Sequence, residues 1–255
     1  MTALSRSASL LPDKWFVRAI AHAHKRFEPE LGRVVASCPS NVTALDVGAW
    51  YGPWTFWLSR RVRSVVAFEP NPDVADVLER TLRPNVTLIR AAASSEPGVA
   101  RLTVPKGGRG TEGRASLEGL ADSDQTVDVS LCRIDSLDVA DVGLLKIDVE
   151  GHEREALIGA EQLLHKWKPL LVVEIEERHG GVAPTVELLA SWGYRGRVLV
   201  DGRWVSLDDF DLIAHQDAHL AQQRTGSYLQ TVTRRTSRYI NNVVFTHPAT
   251  RWSVD

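Results

Sequence analysis

The sequence predicts an α/β protein, a mostly parallel sheet with helices on both faces. Three observations predict it. Ala44-Leu45-Asp46-Val47-Gly48-Ala49-Trp50-Tyr51-Gly52 is an apolar run, then a glycine-bearing turn, then the start of a helical pattern. Short apolar runs alternate with helical patterns over residues 42–90, which requires parallel strands joined by right-handed crossovers. Residues 169–175 are nearly all apolar, as in a strand covered on both faces.

In chain order, residues 12–36 read as a helix, with Trp15, Phe16, Ile20 and Ala23 at helical spacing. The entry region, residues 1–40, reads as a helical cap on the main domain, residues 41–255. The first strand is expected over 42–47, and Pro53 suits a first helical turn, where the missing N–H costs nothing. The second strand covers 64–69. Pro70-Asn71-Pro72 breaks the chain, a helix starts at Asp73, and a third strand covers 86–90. Two further strands, 99–104 and 127–132, flank a long loop rich in Gly107, Gly108, Gly110, Gly113 and Gly119. Residues 142–149 form an apolar run ending in acids, followed by a helix over 153–165. After the strand at 169–175 come a helix near 185–192, a strand at 194–200, a tight turn at Asp201-Gly202-Arg203, a short strand at 204–207, and a last strand at 240–246. Residues 105–126 and 205–238 read as insertions that shape a substrate pocket.

With 44% apolar and 24% charged residues, the 255-residue chain has an ordinary globular composition. A net charge of −2 gives no bulk signal for nucleic-acid binding. Cys38 and Cys132 form no Cys-x-x-Cys pair, so two free thiols in a reducing compartment is the simplest account. Residues 1–11 lack a signal-peptide apolar stretch, and no run reaches the ~18 apolar residues of a membrane span. The expected location is the cytoplasm, with peripheral contact at a membrane surface left open.

Three strand ends carry acids: Asp46, Glu69 and Asp148. Ends of parallel strands share the edge where open α/β sheets hold ligands. Gly48 lets backbone approach a ligand, because it has no Cβ. Asp46 is expected to steady that turn and face a cationic group. Glu69 follows at close to the ~20-residue spacing of an acid that accepts ribose hydroxyls. The densest cluster is Lys146-Ile147-Asp148-Val149-Glu150-Gly151-His152-Glu153, in which strand alternation turns Lys146 and Asp148 the same way. By the same alternation Glu174 and Glu176 share a side.

These motifs, with Phe68-Glu69-Pro70-Asn71-Pro72, Ile134-Asp135-Ser136-Leu137 and Val173-Glu174-Ile175, resemble the FkbM family of S-adenosylmethionine-dependent O-methyltransferases over residues 42–178. The resemblance implies the class I methyltransferase fold: a three-layer, Rossmann-like sandwich with a seven-stranded, mostly parallel sheet and a reversed C-terminal hairpin. It also implies S-adenosyl-L-methionine as cofactor and a hydroxyl of a sugar, glycolipid or other secondary metabolite as acceptor. Carried over, Asp46, Gly48, Ala49 and Gly52 line the methionine end. Glu69 takes the ribose, Asn71 and Ala92 lie by the adenosine, and Asp148 completes the site. Members commonly carry a small polar residue where this chain has Trp50.

Methyl transfer to a hydroxyl needs a group that accepts its proton. His152 is the first candidate because an imidazole titrates near neutrality, followed by Asp148 and Glu150. His179 is a further candidate. Asp148, Glu150 and Glu176 offer oxygens to a divalent cation. His215 and His219 have helical zinc-ligand spacing but no third ligand, and no metal site is assigned. A nicotinamide oxidoreductase would want G-x-G-x-x-G, whose middle glycine is absent here. A non-catalytic cofactor-binding protein is the alternative of a different class.

Overall fold

The computed structural model describes residues 11–105, 115–117, 125–179, 181–225 and 238–254. Parts of both expected insertions, with the five loop glycines, lie outside the described residues. Helices α1 (Asp13–Phe27) and α2 (Pro29–Ser37) replace the single expected helix. The break is at Pro29, whose ring disfavours helical backbone in the residue before it. Glu28 accordingly sits at φ −112°, ψ 83°.

The strands are β1 (Thr43–Val47), β2 (Ser64–Phe68), β3 (Val86–Ile89), β4 (Ala92–Ala93), β5 (Gly98–Val104), β6 (Gln125–Cys132), β7 (Val142–Ile147), β8 (Leu170–Glu174), β9 (Arg195–Val200), β10 (Arg203–Ser206) and β11 (Asn242–Thr246). The later helices are α3 (Pro53–Leu58), α4 (Pro72–Glu79), α5 (Glu153–Ile158), α6 (Glu161–Trp167), α7 (Val182–Ser191) and α8 (Leu212–Thr225).

The main sheet runs β10-β9-β11-β8-β7-β1-β2-β3. From β3 to β8 every pairing is parallel, and β11 is antiparallel to both neighbours, β8 and β9. The sheet has eight strands where the resemblance implied seven. The extra one is β10, which closes a hairpin on the β9 edge through the Asp201-Gly202 turn. Two strands run against the rest, β10 at the edge and β11, which is inserted between β8 and β9. Strands β4, β6 and β5 form a second, small sheet.

Side-chain alternation fills both faces. Leu45, Leu145 and Leu171 pack with α5 and α6, while Ala44, Leu144 and Leu170 pack with α2 and α3. All six are fully buried. The helix expected over 153–165 is interrupted at Gly159. A Cβ there would lie 2.1 Å from the Ser94 carbonyl oxygen, so another chain segment presses on that turn. The restart is capped from a distance. Asp135 Oδ1 accepts from Leu163 N at 2.9 Å and Oδ2 from Gln162 N at 3.2 Å.

Strand β1 has β2 on one side and β7 on the other, so the strand order reverses there. Beyond the carboxyl ends at such a switch point lies the crevice in which α/β sheets hold ligands.

Candidate active site

The turn after β1 is held by backbone and one carboxylate. Gly48 N and Ala49 N donate to the Phe68 carbonyl at 3.1 and 2.8 Å. Gly48 has φ 79°, and a Cβ there would fall 1.8 Å from the Asp148 carbonyl oxygen, so only glycine fits. Trp50 follows in the left-handed region at φ 49°. Its N–H donates to Glu69 Oε2 at 2.7 Å, and Asn71 N donates to Glu69 Oε1 at 2.8 Å. Burial nevertheless pushes the Glu69 carboxyl up to about 7, outweighing those two donors.

An open cleft lies here, beyond the carboxyl ends of β1, β2 and β7. Gly48, Glu69, Ala92, Asp148, Glu150 and His152 line it, six of the residues singled out from sequence. Trp50 lines it as well, while packing against His24 and Tyr51 at centroid distances of 5.5 and 5.1 Å. The Trp50 Nε1 is buried without a hydrogen-bond partner among the described residues.

Four of the expected residues act beneath the walls instead. Asp46 is not at a strand tip but inside β1, fully buried, and accepts from Thr55 Oγ1 at 2.5 Å. Burial raises its carboxyl, while Thr55 and Lys146 favour its charge. Ala49 supports the turn. Gly52 starts α3 at φ 73°, close against Leu78. Asn71 caps α4, its Oδ1 accepting from Asp73 N at 3.1 Å.

The opposite wall is built of paired charges. Lys146 is 1% exposed and meets Asp148 Oδ2 at 3.0 Å. Burial opposes its charge, but Asp148, Glu174, Glu28 and Asp46 together hold its pKa above the ordinary value. Glu150 sits at φ 47° and accepts from Arg178 Nη2 at 3.0 Å, with His179 Nε2 at 3.5 Å. Burial, then the Asp148 charge, push the Glu150 carboxyl up to about 7 against the pull of Arg178. Arg178 also pairs with Glu176. Asn241 Nδ2 donates to Glu174 Oε1 at 2.6 Å and Glu176 Oε1 at 3.2 Å, which confirms that these acids share a side. His152 Nε2 lies 3.1 Å from Ser94 Oγ.

Sequence reasoning missed Arg178, Asn241, Thr55 and Ser94, which are isolated polar residues with no local pattern. Among the described residues no group of three His, Cys, Asp or Glu side chains is placed to hold a metal ion. His215 and His219 are turned to backbone carbonyls, those of Arg238 and His215. No helix among the described residues is long and apolar enough to cross a membrane.

A parallel sheet with one reversed strand between β8 and β9, a glycine turn after β1 and an acid after β2 define a class I methyltransferase domain. The chain belongs to the FkbM methyltransferase family, whose methyltransferase FkbM domain matches residues 46–195. Methyltransferase sdnD of Sordaria araneosa is 28% identical over 193 residues, 61% of this chain and 74% of that protein. Methyltransferase FkbM from Methylobacillus flagellatus KT is a similar solved structure, with 17% identity and a TM-score of 0.46. The match covers 62% of this chain and 40% of that one, so the chain spans less than half of that protein's length. SMU.1697c of Streptococcus mutans, solved in complex with SAH, has 10% identity and a TM-score of 0.45 over 86% of this chain and 96% of that one.

Proposed function

We propose that this methyltransferase carries a methyl group from S-adenosylmethionine to a hydroxyl of a sugar, glycolipid or other secondary metabolite. The observation that carries the reading is one cleft lined by both Glu69 and Glu150, two carboxyls pushed up to about 7. Their environments divide the work.

The β1–β3 wall fits the cofactor. Each Glu69 oxygen spends one lone pair on a backbone N–H and keeps another for a ribose hydroxyl. The orphaned Trp50 Nε1 is a donor available to a bound group. Ala91, Ala92 and Ala93 leave a small apolar wall suited to a flat heterocycle. When bound, S-adenosylmethionine supplies an electrophilic methyl group.

The β7–β8 wall handles the acceptor. Glu150, ionised above about pH 7, takes the hydroxyl proton. Arg178 and His179 hold its carboxylate in place. His152, engaged with Ser94, positions the edge of the pocket. Residues 1–40 act as a cap on the domain formed by 41–255. Trp54 Nε1 donating to Glu28 at 3.0 Å and Trp57 Nε1 donating to the Ala21 carbonyl at 2.9 Å support this division. Free Cys38 and Cys132 support work in the reducing cytoplasm.

The test is incubation with radiolabelled S-adenosylmethionine and panels of glycans, glycolipids and small hydroxylated metabolites. Label in a hydroxyl, lost in Glu150→Gln, is the expected result. Tight cofactor binding with no acceptor labelled in any panel would favour a non-catalytic binding protein.

A further inference from the structure

We propose that the outer face of α1 docks on an anionic lipid bilayer. The inner face of this helix is fixed. Phe16, Val17 and Ala21 are buried, and the Phe16 ring meets Tyr51 edge-on at 4.9 Å. What points outward is therefore determined by the fold. Trp15 is 62% exposed and Phe27 is 67% exposed, near the two ends of one helix. Single exposed apolar residues are common, but Trp15 has Arg18 about one turn and Arg26 about three turns further along its own side of the helix, whereas Phe27 lies about 120° round from it. Arg18, Lys25 and Arg26 are exposed between them. No ion pair among the described residues joins any of the three to a carboxylate, and the helix's one acid, Asp13, pairs with Arg80 at 2.8 Å.

The neighbouring surface extends the pattern. Arg60 at the end of α3 lies over the Phe56 ring at 3.5 Å, and Lys25 Nζ lies 4.2 Å from the Trp57 ring centroid. Arg18, Arg60 and Arg83 are near enough that the like charges of Arg83 and Arg18 add to burial in disfavouring the Arg60 cation. A protein of net charge −2 has thus gathered cations on a face that also exposes Trp15. An anionic bilayer surface relieves that repulsion, and its interface accepts Trp and Phe side chains. The opposite side of α1 reaches the active-site wall, where His24 packs on Trp50. The surface itself does not depend on the methyl-transfer reading, and its test needs neither cofactor nor acceptor.

The test is sedimentation of the full chain with phosphatidylcholine vesicles and with vesicles containing phosphatidylglycerol. The chain should pellet with the anionic vesicles only, and high salt should release it. Arg18→Gln and Arg26→Gln should each weaken binding about fivefold with unchanged melting temperature. Brominated lipid should quench Trp15, read as the difference between the wild type and Trp15→Phe. No pelleting with anionic vesicles at low salt would overturn the proposal. So would equal pelleting of the Arg18→Gln/Arg26→Gln double variant. Binding to heparin without binding to vesicles would overturn it in favour of a soluble acidic partner.

Discussion

The two walls of the cleft hold their carboxylates by different means. On the β1–β3 side Glu69 is fixed by two backbone N–H groups from residues close to it in sequence or in the adjoining turn. On the β7–β8 side Asp148, Glu150, Glu174 and Glu176 are fixed by side chains, Lys146, Arg178 and Asn241. Backbone donors carry no net charge, so the first wall tolerates only a narrow geometry but little depends on charge balance. The second wall is a balance of opposite charges around buried Lys146 and Glu176, in which losing one member leaves the others unbalanced. A wall built from backbone suits an invariant ligand. A wall built from side chains can be altered residue by residue to suit different acceptors.

Lys146→Met should break this contrast most strongly. It leaves Asp148, Glu174 and Asp46 without their shared cation, and the cost should be about 3–5 kcal/mol by chemical denaturation. Gly48→Ala attacks the other wall through shape alone. The Asp148 carbonyl and the positive φ both oppose a Cβ, so a loss of about 3 kcal/mol with collapse of cofactor affinity is expected in melting and calorimetry. Glu150→Gln should lower kcat about a hundredfold while cofactor affinity stays within about twofold. Because the Glu150 carboxyl is raised to about 7 and must be ionised to take a proton, wild-type kcat should fall as pH drops below 7, and this limb should vanish in the variant. Retention of the limb would move the base role to His152. Glu69→Gln should sharpen the comparison from the cofactor side, with affinity down about tenfold and kcat at saturation little changed. His152→Ala should have the smallest effect, about threefold or less in kcat, because its ring is engaged with Ser94 at the pocket edge.

The first wall was legible in the sequence because its parts are local. A strand ending at Gly48, and an acid ending the next apolar run at Glu69, are patterns within a few residues of each other or at a fixed spacing. The second wall was legible only as a density of acids. Which of them pairs with Arg178 or shares Asn241 depends on β11 lying beside β8, and no local pattern announces that. Asp46 illustrates the limit. Its identity marked the site, but its inward direction and its Thr55 partner came from the packing of α3 on β1. The breaks at Pro29 and Gly159 differ in the same way. The helix expected over 12–36 ran through Pro29, although a proline inside a helical pattern is itself a local breaker signal, whereas Gly159 is explained by the Ser94 carbonyl pressed against it.

By itself the sequence determined the alternation of strands and helices, the parallel sheet and the glycine turn with its acid, since these follow from periodicity and backbone sterics over short spans. Only the tertiary structure decided the inserted position of β11, the charge pairings of the second wall and the outward direction of Trp15 and Phe27. Each of those depends on which distant segments meet, and burial and Coulomb energies act through space rather than along the chain.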